Sequence, residues 1–396
     1  MTHLQRLIFN DLLIQQTDTT QYSNERSGYD FTTMLKIFEM SLPITKTLED
    51  CADWSKTVEP FLPQLYAFPA RLVDTATGRD SFLKLYAETN PLISGFAISI
   101  ILGAVFLVAA DINSNYSQVD RFWSLLPTFY IAHFDAWARL SGIPSQRLDA
   151  LLLWSTIWSA RLTFNYWRKG GYGIGHEDYR WEIIRQHIPK WAFHIFNWTF
   201  ISFYQSALLY SIAVPAYIIL LTSRIEPRIT SADTAFLSIQ LLLILIEYIS
   251  DHQQWVYQNA KKQYQQSAKV TSGFKQAELD RGFITSGLWG RSRHPNFAAE
   301  QSIWFFFYQW SCYASKTLYS WAGVGPALLI LLFQASTWFT EYITAGKYPE
   351  YRDYQREVGM FVPLGFSSYK GPGVKVPKVI RTSELAKKLE QNKKQK

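Results

Sequence analysis

Cysteine and histidine are scarce in this chain, and several catalytic signatures are missing. Two cysteines in 396 residues, Cys51 and Cys312, cannot build a disulfide framework; Cys312 sits in an aromatic block where packing accounts for it. His176, His252 and His294 are scattered, with no His-x-x-x-His spacing and no cysteine pairs, so no metal site is expected. No Gly-x-Ser-x-Gly elbow is present, which leaves a Ser/His/Asp hydrolase without motif support. Gly173 and Gly175 form a Gly-x-Gly that no strand precedes, so a Rossmann dinucleotide turn fails. The first 30 residues lack the basic-then-apolar pattern of a cleaved signal peptide, and insertion into a membrane is expected to rely on internal segments.

What is abundant is apolar and aromatic. Hydrophobic residues make up 48% and aromatics 16%, yet the mean hydropathy is only −0.07, because apolar blocks alternate with polar loops and ends. Candidate spans are 92–110, 122–137, 151–167, 192–222 (with Pro215 as a kink), 235–249, 297–313 and 324–343. The expected fold is all-α: a polytopic membrane helical bundle of about seven transmembrane helices. Residues 1–90 read as a peripheral region on the membrane surface or packed over the bundle, 91–366 as the membrane-embedded domain, and 367–396 as a basic cytosolic tail.

The net charge of +7 is unevenly placed. Lys and Arg crowd the loops around 168–190 and 261–293 and the region beyond Lys347, and are sparse in the alternate loops. The positive-inside rule puts the rich set, and the C-terminus, in the cytosol. The Asn115-Tyr-Ser117 sequon would then stay unglycosylated. Lys393-Lys394, fourth and third from the end, match a dilysine retrieval signal, so the endoplasmic reticulum membrane is the expected location. Loop charges of this kind are explained by topology, and no nucleic-acid partner is expected.

Gly287–Glu300 is the most informative stretch: a basic, glycine-punctuated loop entering a helix at Pro295. The helix start with Arg291, Arg293 and His294 beside it reads as an anion cradle. Arg293, Asn296 and Glu300 fall on one stripe. Further ionisable residues lie in or beside spans, where they are costly and point to a cavity or a partner: Asp120, Arg161, Glu247 with Asp251, and Glu341. Asp120 and Arg161 are expected to pair, and the 170–181 loop to lid the cavity.

Five blocks then resemble the DUF1295 membrane proteins, relatives of the steroid 5-alpha-reductase and sterol C14-reductase superfamily. They are Ser117–Pro127; Ala160–Asn165 with Glu177–Trp181; Glu247–Gln254; Gly287–Glu300; and Glu341 with Lys347–Tyr354. The resemblance implies a cytosol-facing NADPH pocket. Arg293, His294, Asn296 and Glu300 from one block, and Lys347, Tyr348, Tyr351 and Tyr354 from another, would line it, and Trp289 and Arg291 of the same basic loop join them as cofactor-binding candidates. It implies reduction of an activated C=C bond in a lipid or sterol-like substrate; the developing enolate would need a tyrosine or a neutral carboxylic acid as proton donor, for which Asp120, Glu247 and Tyr166 are the candidates. Two positions depart from the pattern: Phe297 stands where the family usually has tyrosine, and Gln253-Gln254 where related reductases carry a lysine. The alternatives are a SAM-dependent methyltransferase of the isoprenylcysteine carboxyl type, and a non-catalytic lipid-binding protein.

Overall fold

A computed structural model describes residues 31–363 and Tyr369. Lys393-Lys394 and nearly all of the basic tail lie outside the described residues. Among the described residues every regular element is helical; the one extended pairing is the bridge between Ser292 and Gly359.

The principal helices are α1 (Pro91–Asn113), α2 (Leu126–Leu140), α3 (Gln146–Arg168), α4 (Tyr179–His187) and α5. The last runs as Lys190–Phe196, a π segment Asn197–Tyr204, and Gln205–Ser211. Then come α6 (Pro215–Ile225), α7 (Ser231–Ser267), α8 (Pro295–Ala314), α9 (Val324–Lys347) and α10 (Tyr351–Glu357). Among the described residues, four stretches are long and apolar enough to cross a membrane: Pro91–Asn113, Lys190–Ile225, Ser231–Ser267 and Trp321–Lys347. Expected spans two, three and six are helical as α2, α3 and α8, but fall short of that apolarity because α3 and α8 carry buried polar groups and α2 is only 15 residues long.

Pro215 marks a break in the regular α-helix of the fourth apolar stretch, at the position expected for a kink. It has no N–H to give the carbonyl four residues back, so the helix turns at 212–214 and restarts. Gly325 fits this gap. A Cβ there would stand 2.2 Å from the Ser211 carbonyl oxygen, so the first turn of α9 can cross α5 this closely only with hydrogen in place of a side chain.

The two ends of the bundle are stapled differently. At the end opposite the basic loops, Arg147 is buried and donates to Asp233 (3.1 Å) and to the carbonyls of Glu226 (2.8 Å) and Arg228 (3.1 Å). Trp310 donates to the second oxygen of Asp233 at 2.7 Å. This one cluster ties the start of α3, the end of α6, the start of α7 and the end of α8. The N-terminal layer also packs at this end, where Arg224 reaches the Pro43 carbonyl and Trp54 meets Trp321 edge-on.

At the basic end, the 170–181 loop folds over the segment after α1. Tyr116 N–H donates to Glu177 (2.9 Å), Asp178 N–H to Ser117 (2.9 Å) and Trp181 Nε1 to Asp120 (2.9 Å). Residues 358–363 strap back across the Gly287–Glu300 loop, with Arg293 N–H on the Gly359 carbonyl and His294 N–H on the Met360 carbonyl, and Tyr369 N–H donates to the Gly290 carbonyl.

Candidate functional site

A cavity of 510 Å³ opens at the basic end, within the range of small-molecule sites. It lies among α3, α5, α7, α8 and α9, with the short helix Gln118–Phe122 and the 170–181 loop above. One half is apolar and aromatic, lined by Phe196, Phe200, Phe297, Leu332, Phe333 and Phe339. The π segment sets part of this wall: Phe196 and Phe200 stack at 4.9 Å and 16°, and Phe200 on Tyr204 at 5.3 Å and 12°.

The other half is built around Arg161, which is 8% exposed. Its guanidinium donates to Asp251 (2.9 Å) and Glu247, and reaches Glu300 at 3.4 Å. Glu300 is also held by Trp158 (3.0 Å) and Trp304 (2.8 Å). Asp251 receives further bonds from Asn165 (2.9 Å) and Asn296 (3.2 Å). The arrangement follows from helix geometry: Arg161 with Asn165, Glu247 with Asp251, and Asn296 with Glu300 are each four apart, so each pair presents one face. Two buried polar atoms here have no protein partner among the described residues, Nε of Arg161 and Oδ1 of Asn296.

The lid supplies Asp178 and Arg180. Arg180 donates to both Asp178 oxygens (2.9 and 2.8 Å) and to Ser336 on α9 (2.7 Å). Burial pushes the Asp178 carboxyl up, but the paired guanidinium outweighs it and holds the group below the usual carboxylate range. Asp120 goes the other way. Part of its surface opens to the cavity, yet the surrounding protein desolvates it enough to raise its pKa, against the pull of Arg180 and the Trp181 hydrogen bond.

The three candidate proton donors, Asp120, Glu247 and Tyr166, all line this cavity. Of the ten candidate cofactor residues, Asn296 and Glu300 line it. Arg293 and His294 do not. Arg293 donates to both oxygens of Glu341 (2.6 and 2.9 Å), to the Gln355 carbonyl (3.0 Å) and to the Val358 carbonyl. His294 Nε2 meets Glu341 at 3.0 Å, and Tyr351 and Gln355 complete the ring around that carboxylate. The Arg-His pair is thus turned onto α9, α10 and the C-terminal strap, and the expected stripe with Asn296 breaks because Arg293 precedes the helix. Trp289 is buried, donating to the Ser250 carbonyl, while Tyr354 donates to the Trp289 carbonyl. Arg291 and Lys347 are exposed, and Tyr348 packs over Gly282.

The Asp120–Arg161 pair expected across the bundle is replaced by separate partners: Trp181 holds Asp120, and the three carboxylates of α7 and α8 hold Arg161. Coulomb attraction favours the partners that α7 and α8 carry on the faces turned toward α3. Lys261, two turns beyond Gln253-Gln254 on α7, donates to the Gly282 carbonyl and does not line the cavity. Arg161 and Asp251, expected to face a cavity or a partner, do line it, although neither they nor Asn165 carry an expected catalytic or cofactor role; the Asp178–Arg180 pair is expected only as part of the lid loop.

The chain belongs to the DUF1295 family, described as a protein of unknown function, whose model matches residues 105–358. It is therefore a membrane protein of the steroid reductase-like group. A Schizosaccharomyces pombe protein described as uncharacterized is 40% identical over 325 residues, covering 82% of this chain and 93% of that one. No solved structure matches.

Proposed function

We propose that this protein is a membrane-embedded, NADPH-dependent reductase of an activated C=C bond in a lipid or sterol-like molecule. The observation that carries the reading is the two-part cavity, with an aromatic half next to a polar half that contains all three acid candidates and the Asn296–Glu300 face. The residues present fit the cofactor's polar end. The unpartnered Asn296 oxygen can accept from a carboxamide. The carboxylates of Asp251 and Glu300 can accept from ribose hydroxyls, and Lys169 and Arg180 offer cations for phosphate. NADPH, when bound, supplies hydride.

The chain's own part is to place the double bond against Phe297 and the Phe196–Phe200 wall, exclude water under the lid, and deliver a proton. Asp120 suits the proton step best, because desolvation favours its neutral, donating form. Arg161 acts as a positioning residue that fixes Glu247, Asp251 and Glu300.

One observation favours a second reading. Five carboxyl groups line the cavity (Asp120, Asp178, Glu247, Asp251, Glu300) against three cations (Arg161, Lys169, Arg180). Such a lining suits the cationic methyl donor SAM better than a polyanionic dinucleotide. Parallel comparison of lipid extracts by mass, with and without the protein, separates the readings. A difference of two hydrogens supports reduction, one methylene supports methyl transfer, and no difference supports a lipid-binding role.

The topology belongs to the same proposal. Helix ends alternate between the two staples, so α1, α2 continued by the short helix Gln118–Phe122, α3, α5 with α6, α7, α8 and α9 would make seven passes. The basic end, with the cavity mouth, faces the cytosol, and Lys393-Lys394 keeps the protein in the endoplasmic reticulum membrane.

A further inference from the structure

The N-terminal layer precedes the residues matched by the family model, and one of its helices has inverted polarity. In Leu62–Ala76 the outward positions include Pro63, Tyr66, Ala67, Ala70 and Val73, none of them charged. Tyr66 is 79% exposed and Val73 59%, and in the next helix Phe82 (65%) and Leu83 (57%) extend the same apolar character. The ionisable residues are turned aside: Arg71 pairs with Glu88 at 2.6 Å, both about one-third exposed, and Asp74 lies in the last turn facing Arg79. A helix resting on water does the reverse, burying its apolar face and exposing its charges.

The depth of this helix is set by α1, against which it packs. Residues 91–99 of α1 are buried or half-buried, although α1 is apolar throughout. The exposed face of α1 starts at Ile100 and continues through Ile101, Val105 and Val108. The N-terminal layer therefore stands beside the first turns of a membrane-crossing helix. Gln64 fixes the register by accepting from the Asn90 backbone N–H, immediately before Pro91, at 2.8 Å. At 15 residues, or about 22 Å, the helix is too short to cross.

We propose that Leu62–Ala76 lies in the plane of the membrane at the end opposite the cavity, with its Tyr66–Val73 face, and Phe82 and Leu83 beyond it, seated in acyl chains. The occupant of the face is lipid, because the apolar surface continues the lipid-facing side of α1. Arg79, Asp80 and Lys84 stand at the polar boundary, as expected of an interfacial helix.

The test uses the full chain in phosphatidylcholine nanodiscs, with single substitutions Tyr66→Cys, Val73→Cys and Phe82→Cys. Val105→Cys is the lipid-facing reference and Ser231→Cys the water-facing one. The native Cys51 and Cys312 are buried and contribute little background. Expected is a loss of labelling by a membrane-impermeant maleimide at all three positions, as at Val105→Cys. A bimane attached before reconstitution should be quenched by nitroxide-bearing lipid rather than by aqueous iodide. Labelling as fast as Ser231→Cys overturns the proposal. So does protection accompanied by Val73→Cys cross-linking between two copies, which would assign the face to a second chain.

Discussion

Replacing Arg293 with methionine separates a structural guanidinium from a phosphate-binding one. Four of its N–H groups already have acceptors: two on Glu341, and the carbonyls of Gln355 and Val358. Both side chains are buried, at 8% and 3% exposure. Methionine would leave the Glu341 carboxylate with His294, Tyr351 and Gln355 but no fixed cation, and would take the guanidinium from the carbonyls of Gln355 in α10 and Val358 at the start of the strap. Breaking a buried pair of this kind costs about 3–5 kcal/mol. The assay is unfolding of the purified protein in mixed micelles, followed by tryptophan fluorescence, with ligand affinity measured in parallel. A large loss of stability is predicted for Arg293→Met, together with early proteolysis of the strap. Exchanging both partners, Arg293→Met with Glu341→Leu, should recover part of the loss, since no charge is then left stranded. The reasoning is refuted if Arg293→Met unfolds within about 1 kcal/mol of the parent while ligand affinity alone collapses.

Three further outcomes follow from the geometry. Asp120 binds a proton more readily in the folded than in the unfolded protein, so its contribution to stability is present below its unfolded pKa and lost as pH rises through the raised folded value. Asp120→Asn should therefore gain stability over the parent as pH rises to neutrality and show no gain near pH 3, read as melting temperature against pH; a gain at low pH alone contradicts this. Gly325→Ala should force α9 away from the Ser211 carbonyl at a cost of about 1–3 kcal/mol, visible in the same unfolding assay. Arg147→Met, which strands buried Asp233 at the opposite end, should destabilise by about 3–5 kcal/mol without changing ligand affinity, because the cluster is remote from the cavity.

Much of the fold was legible because membrane helices are written as long apolar runs and their loops as charge. The helices of α1, α7 and α9 appear where those runs predict them, and Pro215 marks the break between α5 and α6. The residues of the polar cavity were legible as four-residue pairs on α3, α7 and α8. Their pairing was not, because the rotation of one helix against another decides which side chains meet. Arg161 could not be matched to three carboxylates rather than to Asp120 without that rotation. The Arg-His pair shows a second limit. A basic motif before a helix predicts an anion, but the sequence does not show that Glu341 on α9, 48 residues on from Arg293, is itself the anion. The N-terminal layer was least legible, since its helix is too short and too mixed to register as a span.

The cavity holding Arg161, Asn296 and Glu300 is the proposed site of a nucleotide cofactor. Its most direct test is titration of the purified, detergent-solubilised protein with NADPH and, in parallel, SAM, for the parent and for Asn296→Ala. Saturable NADPH binding is expected, weakened about fivefold by loss of the Asn296 hydrogen bonds. Saturable binding of SAM alone would move the protein to the methyl-transfer reading, and binding of neither, or NADPH affinity indifferent to Asn296→Ala, would contradict the claim.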